Sequence, residues 1–311
     1  MAGSEEKIAV ASLSVCSNTA LVALKVVAGV LTGSVAILSE ALHSGMDLLA
    51  ALIARYSVKK SAQPADHEHM YGHGKFENLS GLVEGALIFA AAAWIIFEAV
   101  ARLLSESRVE ALGLGMAVMG ISAVVNLAIS QRLMRVAKKT ESLALEADAY
   151  HLLTDVYTSV GVFVALGLIM ITGWKQLDSL VALAVAAFIV RAAYDISRRA
   201  AEGLLDRSLP DHEISHVERV LKEHEDSYVN FHKFRARKVG PERQIDLHLT
   251  VPSGLSVKEG HDLVEHLETE IKKALPNTTI VIHIEPCDSD CGKCKMAHEA
   301  KVFDGGRSDS R

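Results

Sequence analysis

The sequence predicts a membrane α-helical fold of six transmembrane helices, followed by a small cytoplasmic α+β domain in the order α-β-β-α-β. Three observations predict it. Half of the 311 residues are hydrophobic while 23% are charged, a mixture that suits a membrane segment joined to a soluble one. The long apolar stretches all lie before about residue 200. Beyond them the pattern changes to the short alternating and helical runs of an ordinary globular layer.

The apolar stretches cover residues 8–31, 36–58, 78–102, 111–134, 144–172 and 176–200. Each reaches the roughly 20 residues that a helix needs to cross about 30 Å of hydrocarbon. Asn18, Asp47, Glu84, Asn126 and Asp155 interrupt them, and such groups need partners inside a bundle. Basic residues set the orientation. Arg55, Lys59, Lys60 and Lys75 follow the second stretch, Arg132, Arg135, Lys138 and Lys139 the fourth, and Arg198, Arg199 and Arg207 the sixth. The turn after the first stretch (LTGSVA) has no basic residue, and the fifth turn has only Lys175. After the third, Glu106 and Glu110 partly offset Arg102 and Arg108. This alternation places both termini in the cytoplasm. The first stretch lacks a small-residue cleavage site near its end, so it reads as a mature helix. The net charge of −6 and pI near 6.2 argue against nucleic acid as the main partner.

The domains follow as 1–206, 207–290 and a polar tail over 291–311. In the second, Ile214, Val217, Val220 and Leu221 stripe one helix, and Leu263, Leu267 and Ile271 stripe another. VNFHKFRARKV reads as a strand and GPER as a turn. RQIDLHLTV sets Ile245, Leu247, Leu249 and Val251 on one face, and TTIVIHIEP does the same with Ile280, Ile282 and Ile284.

Four groups of residues carry metal chemistry. His43 and Asp47 stand four apart in one membrane stretch, and His151 and Asp155 repeat that spacing in another. Residues four apart share a helix face. Two such helices brought together offer two nitrogens and two carboxylate oxygens, a shell for a divalent ion such as zinc. As structural polar glue, two pairs of identical spacing and order would be an expensive coincidence inside a membrane. Asp66, His67, His69 and His73 crowd a short loop, which reads equally as a zinc site or a solvated turn. His232, His248, His261, His283 and Glu285 are spread over the α+β domain, with His283 and Glu285 on one strand face. Cys287, Cys291, Cys294 and His298 follow the spacing C-x3-C-x2-C-x3-H and include three of the four cysteines. They offer a candidate zinc site or free thiols, since a cytoplasmic location disfavours disulfides.

The chain closely resembles the cation diffusion facilitator family of metal transporters over nearly its whole length. The HxxxD phrases, the loop DHEHMYGHGKFE, the LLDRSLP that follows the sixth stretch and the late IHIEPC strand carry the resemblance. It implies a six-helix transport domain, a ferredoxin-like cytoplasmic domain, and a homodimer in a bacterial or archaeal cytoplasmic membrane. It also implies metal export in exchange for protons, with His43, Asp47, His151 and Asp155 as the transport site. Asp66, His69 and His73 match a loop site of some members. His232, His248, His261 and His283 match the ligands of a binuclear cytoplasmic site. Glu285 stands where bacterial zinc exporters carry Asp, and its extra methylene shifts the carboxylate. Lys75 and Asp206 match a charge pair that holds the dimer. The cysteine tail has no counterpart in the family at large.

The expected function is proton-coupled export of a divalent cation, Zn2+ first, with zinc also bound by the cytoplasmic domain. Fe2+, Mn2+, Co2+ and Cd2+ are the alternative cargoes, and two imidazoles among four ligands disfavour manganese. A non-transporting membrane sensor or assembly partner is the competing class, but it has no use for carboxylates inside a bilayer. A metallo-hydrolase would need an added base, and no motif supplies one.

Overall fold

The computed structural model describes residues 2–33, 35–104, 113–174 and 176–287. The chain divides into two compact units, Met1–Leu205 and Asp206–Arg311. The first holds the long helices α1 (Ala2–Thr32), α2 (Val35–Ser61), α3 (Lys75–Leu104), α4 (Gly113–Thr140), α5 (Leu143–Thr172) and α6 (Leu177–Leu204). Segments within four of them, Gly3–Leu31, Lys75–Leu104, Leu143–Thr172 and Leu177–Leu204, are long and apolar enough to cross a membrane. α2 and α4 have the length, but not the apolar character. α2 carries Glu40, His43, Asp47 and Arg55, and α4 carries Asn126, Arg132 and Arg135.

Local chemistry fixes the ends and contacts of these helices. The Ser142 side chain caps α5 by accepting from the Leu145 amide, and Gly173, at φ 72°, closes the helix in the left-handed region. α3 and α6 pack closely along Gly81 and Gly85, whose spacing leaves room for a neighbouring helix. A Cβ on Gly85 would overlap Ser197 Oγ of α6.

One carboxylate ties four helices together. Glu77, fully buried near the start of α3, accepts at Oε1 from Lys7 Nζ of α1 at 2.7 Å and from Ser61 Oγ of α2 at 2.8 Å. Its Oε2 accepts from Ser142 Oγ at the head of α5 at 2.5 Å. A buried charge needs this degree of satisfaction.

The second unit runs α7 (Asp211–Glu223), β1 (Asn230–Val239), β2 (Glu242–Val251), α8 (Val257–Ala274) and β3 (Thr278–Pro286). The sheet order is β1-β2-β3, with β1 antiparallel and β3 parallel to β2. The period-two pattern puts Ile245, Leu247, Leu249, Val251, Ile280 and Ile282 into one core with Val217, Leu221, Leu267 and Ile271 of the helices. Ser256 and Glu259 form a capping box that starts α8. At the other end of β2, Arg243 donates from Nε and Nη2 to the two oxygens of Glu213 at 2.8 and 2.6 Å.

Arg243 and Glu213 are both buried, so removing one leaves an uncompensated charge. Arg243→Ala is expected to cost about 3–5 kcal/mol. Denaturant unfolding followed by a probe in the second unit of the full chain measures this. A loss near zero would show that the pair contributes nothing.

Candidate metal sites

The two HxxxD phrases meet. α2 and α5 pack together, and their side chains pair crosswise. His151 Nε2 lies 3.1 Å from Asp47 Oδ1, and His43 Nε2 lies 3.6 Å from Asp155 Oδ1. Numbers rise along one helix as they fall along the other, so the helices run antiparallel here. Each imidazole thus faces the carboxylate of the opposite helix rather than its own. Ligand atoms of His43, Asp47 and Asp155 all lie within 4.8 Å of one another. Asp47 and His151 are buried, while the His43 side chain is 50% exposed and forms the accessible edge.

The surroundings add residues that the sequence did not mark as part of a site. Asn126 Nδ2 of α4 donates to Asp155 Oδ2 at 3.0 Å and fixes that carboxylate from a third helix. The signal was its place as an amide inside an apolar stretch. Lys25 of α1 is buried and donates to Glu40 Oε1 at 2.9 Å and Ser44 Oγ at 2.7 Å, both within a turn of His43. Asp148, one turn before His151, is fully buried as well.

The loop between α2 and α3 gathers Asp66, His69 and His73, with ligand atoms within 4.8 Å of one another. His69 Nδ1 is 3.5 Å and His73 Nε2 3.2 Å from the Asp66 carboxylate. The backbone amides of His69 and Glu68 donate to Asp66 Oδ1 at 2.7 and 3.0 Å, which holds its carboxyl below the usual range. Gly72 makes the turn at φ 81°. His73 is buried, and its Nδ1 has no hydrogen-bond partner. His67 is outside this group.

In the second unit the strand register builds a row. His232 of β1 stands opposite His248 of β2, and His248 opposite His283 of β3. Glu285 closes the row from the same strand as His283. His248 Nδ1 donates to Glu285 Oε1 at 2.5 Å, and His232 Nε2 is 3.1 Å from Oε2. The hydrogen bond from His248 holds the Glu285 carboxyl below its ordinary value. His283 is set back, 3.9 Å from Glu285 and 63% exposed. The ladder shifts between His232 and Arg235, where Lys233 sits at φ 50°, and such a bulge re-aims the flanking side chains. Two imidazoles and a carboxylate within 4.8 Å are a donor set that zinc takes. His261 stands exposed on α8 and is not among these clustered atoms.

The remaining expectations fare differently. Cys287 is buried just past the end of β3. Cys291, Cys294 and His298 lie outside the described residues. Lys75 donates to the Leu204 carbonyl at 3.4 Å, and Asp206 accepts from Arg237 Nη1 at 3.0 Å.

Residues 11–205 match the family described as the cation efflux transmembrane domain, and residues 209–287 match the cation efflux protein cytoplasmic domain. An uncharacterized transporter of Synechocystis sp. is 39% identical over 89% of this chain and 90% of its own. The cation-efflux pump FieF of Klebsiella pneumoniae is 33% identical over 86% of this chain and 89% of its own. FieF of Shewanella oneidensis is 32% identical over 88% of this chain and 92% of its own.

The sheet row yields its own test. His248 stands between the rings of His232 and His283 and donates to Glu285, so His248→Ala should weaken zinc binding at the row at least by the roughly 10–100-fold that loss of an outer-shell partner costs. Calorimetric titration of the full chain in detergent measures it. An unchanged isotherm would remove the row from consideration.

Proposed function

The chain belongs to the cation diffusion facilitator family of membrane transporters, and on that premise we propose that it exports Zn2+ from the cytoplasm in exchange for protons. The reading rests on the crossed pairing of His43, Asp47, His151 and Asp155. Ligand atoms of His43, Asp47 and Asp155 lie within 4.8 Å of one another, and His151, hydrogen-bonded to Asp47, offers the second nitrogen of a tetrahedral set. Imidazole at two of the four positions favours zinc over manganese, which prefers oxygen.

The same geometry supports proton exchange. Without an ion, an N···O separation of 3.1 Å is a hydrogen bond with a proton between the two atoms. An ion bound by His151 and Asp47 needs that nitrogen's lone pair and an ionised carboxylate, so a proton added to the pair competes with the ion. An acidic outer side returns protons and drives the ion off. Asn126 keeps Asp155 aimed at the crossed pairs. With one proton entering per zinc leaving, a net positive charge moves out against a negative interior, at about 2.3 kcal/mol per 100 mV. Two protons remove the electrical term.

In this reading all six long helices span the membrane, both termini are cytoplasmic, and the protein works as a homodimer. Lys75 and Asp206 act as the charge pair that steadies it. The loop group Asp66, His69 and His73 and the His232–His248–Glu285 row, extended by His261 and His283, bind zinc in regulatory roles.

Zinc flux into sealed vesicles, with and without an imposed proton gradient, tests the proposal. Flux should rise when the gradient opposes the zinc movement and fall toward background when it is collapsed. Asp155→Ala should abolish flux while the protein still purifies with an unchanged helical spectrum; near-normal flux would place the pathway elsewhere. Asn126→Ala removes one hydrogen bond to a carboxylate, worth about 1.5–3 kcal/mol, so zinc affinity should drop by roughly 10–100-fold with transport retained. An affinity equal to wild type would mean Asn126 does not aim Asp155.

A further inference from the structure

A second pair of facing histidines lies in the soluble unit, on the opposite side of the sheet from the His232–His248–Glu285 row. The row stands on the face that alternates away from Leu247 and Leu249, whereas α7 and α8 cover the apolar face. His224 ends α7, and His266 lies in the middle of α8. Their Nε2 atoms are 3.0 Å apart, with ring centroids 4.9 Å apart and planes inclined at 68°.

The orientation of His224 is fixed by its other nitrogen. Nδ1 is 2.8 Å from the Val220 carbonyl oxygen. A carbonyl only accepts, so Nδ1 carries the hydrogen and the neutral ring presents the Nε2 lone pair to His266. A backbone carbonyl on the second nitrogen is the usual support of a metal-ligating imidazole. Two nitrogens on one tetrahedral zinc, each at about 2.0–2.1 Å, lie roughly 3.3 Å from each other. The observed separation needs only a few tenths of an ångström to reach that.

A carboxylate stands one turn further along α8, not yet gathered with the two nitrogens. Glu270 follows His266 by four residues, the spacing of imidazole and carboxylate at 43/47 and 151/155. It therefore shares a helix face with His266. Its Oε1 accepts from Lys273 at 2.7 Å. That bond holds the carboxyl below the ordinary range, with the two histidines contributing, so the group is available as an anion at neutral pH.

We propose that His224, His266 and Glu270 form a further zinc-class divalent-metal site, which links the end of α7 to the middle of α8. The ion takes two imidazole nitrogens and one carboxylate oxygen, with water in the fourth position. Lys273 gives up its hold on Glu270 as the metal enters. Bound metal cross-links two helices that otherwise meet through packing and the His224–His266 contact, and so stabilises the unit in which it sits. The inference concerns binding in the soluble unit and does not depend on the export reading.

Equilibrium dialysis of the full chain against Zn2+ in detergent, followed by elemental analysis, counts bound zinc per chain. The double variant His224→Asn, His266→Asn should hold one zinc fewer than wild type. The loss should add to that of His248→Ala when the two are combined. The same zinc content in wild type and double variant overturns the proposal. A measurement on the unaltered chain guards against a variant that fails to fold. Zinc should slow diethylpyrocarbonate modification of His224 and His266 at least tenfold, as mapped by peptide mass spectrometry, with Lys222 and Lys272 as internal references. Equal modification with and without zinc overturns the proposal too, and would leave the two rings sharing a hydrogen bond. Neither readout involves flux, so failure here is distinct from failure of the export reading.

Discussion

A carboxylate inside an apolar bundle must find a partner, and Asp47 and Asp155 set the arrangement of the helices around them. Each would cost at least about 2.5–3.5 kcal/mol at bilayer depth if left alone. α2 and α5 meet this demand mutually, since each supplies the imidazole that the other's carboxylate needs. The solution works in one antiparallel register only. A slide of one turn along either helix separates both pairs together. α4 is then drawn in by Asn126, and α1 by Lys25 with Glu40 and Ser44. The polar contacts at the crossed pairs thus follow from two acidic side chains, while Glu77 gathers a separate cluster near the helix ends.

The second unit reaches a similar donor set by other means. Helices place ligands four residues apart along one face. The sheet places His232, His248 and His283 side by side across three strands, so strand register does the work of helical periodicity. Apolar residues on the other face fix that register, because a slip by one residue would turn Leu247 and Leu249 out of the core. The core therefore holds the histidines in line without touching them.

The elements were readable because length and periodicity are strong signals. Apolar runs gave the long helices, and alternation gave β2 and β3 with their buried faces. The grouping of His43, Asp47, His151 and Asp155 followed from spacing alone. The crosswise partners did not, since spacing within a helix says nothing about which neighbour lies opposite. Asn126 was visible as a polar residue in need of a partner, but not as the partner of Asp155. His261 and His266 differ by less than two turns of α8, and only the packing of α7 decides which of them meets another imidazole. The bulge at Lys233 left no mark, because a left-handed lysine has no compositional signature. Four helices passed as spans on composition, while α2 and α4 carry too many of the polar groups described above.

Glu77 gives the helical unit a mechanical property. α1, α2 and α5 are all fastened to one side chain of α3, close to the ends of the helices concerned. Rods joined at one end behave as levers: rotation at the joint is small, and displacement grows with distance from it. His151 lies about two and a half turns, or roughly 13 Å, along α5 from Ser142. A tilt of ~10° about the joint carries His151 by ~2 Å, which is enough to part its nitrogen from Asp47. The separation of the atoms in the crossed pairs is therefore geared to the angle between α5 and its neighbours, with a buried ion pair as the fulcrum.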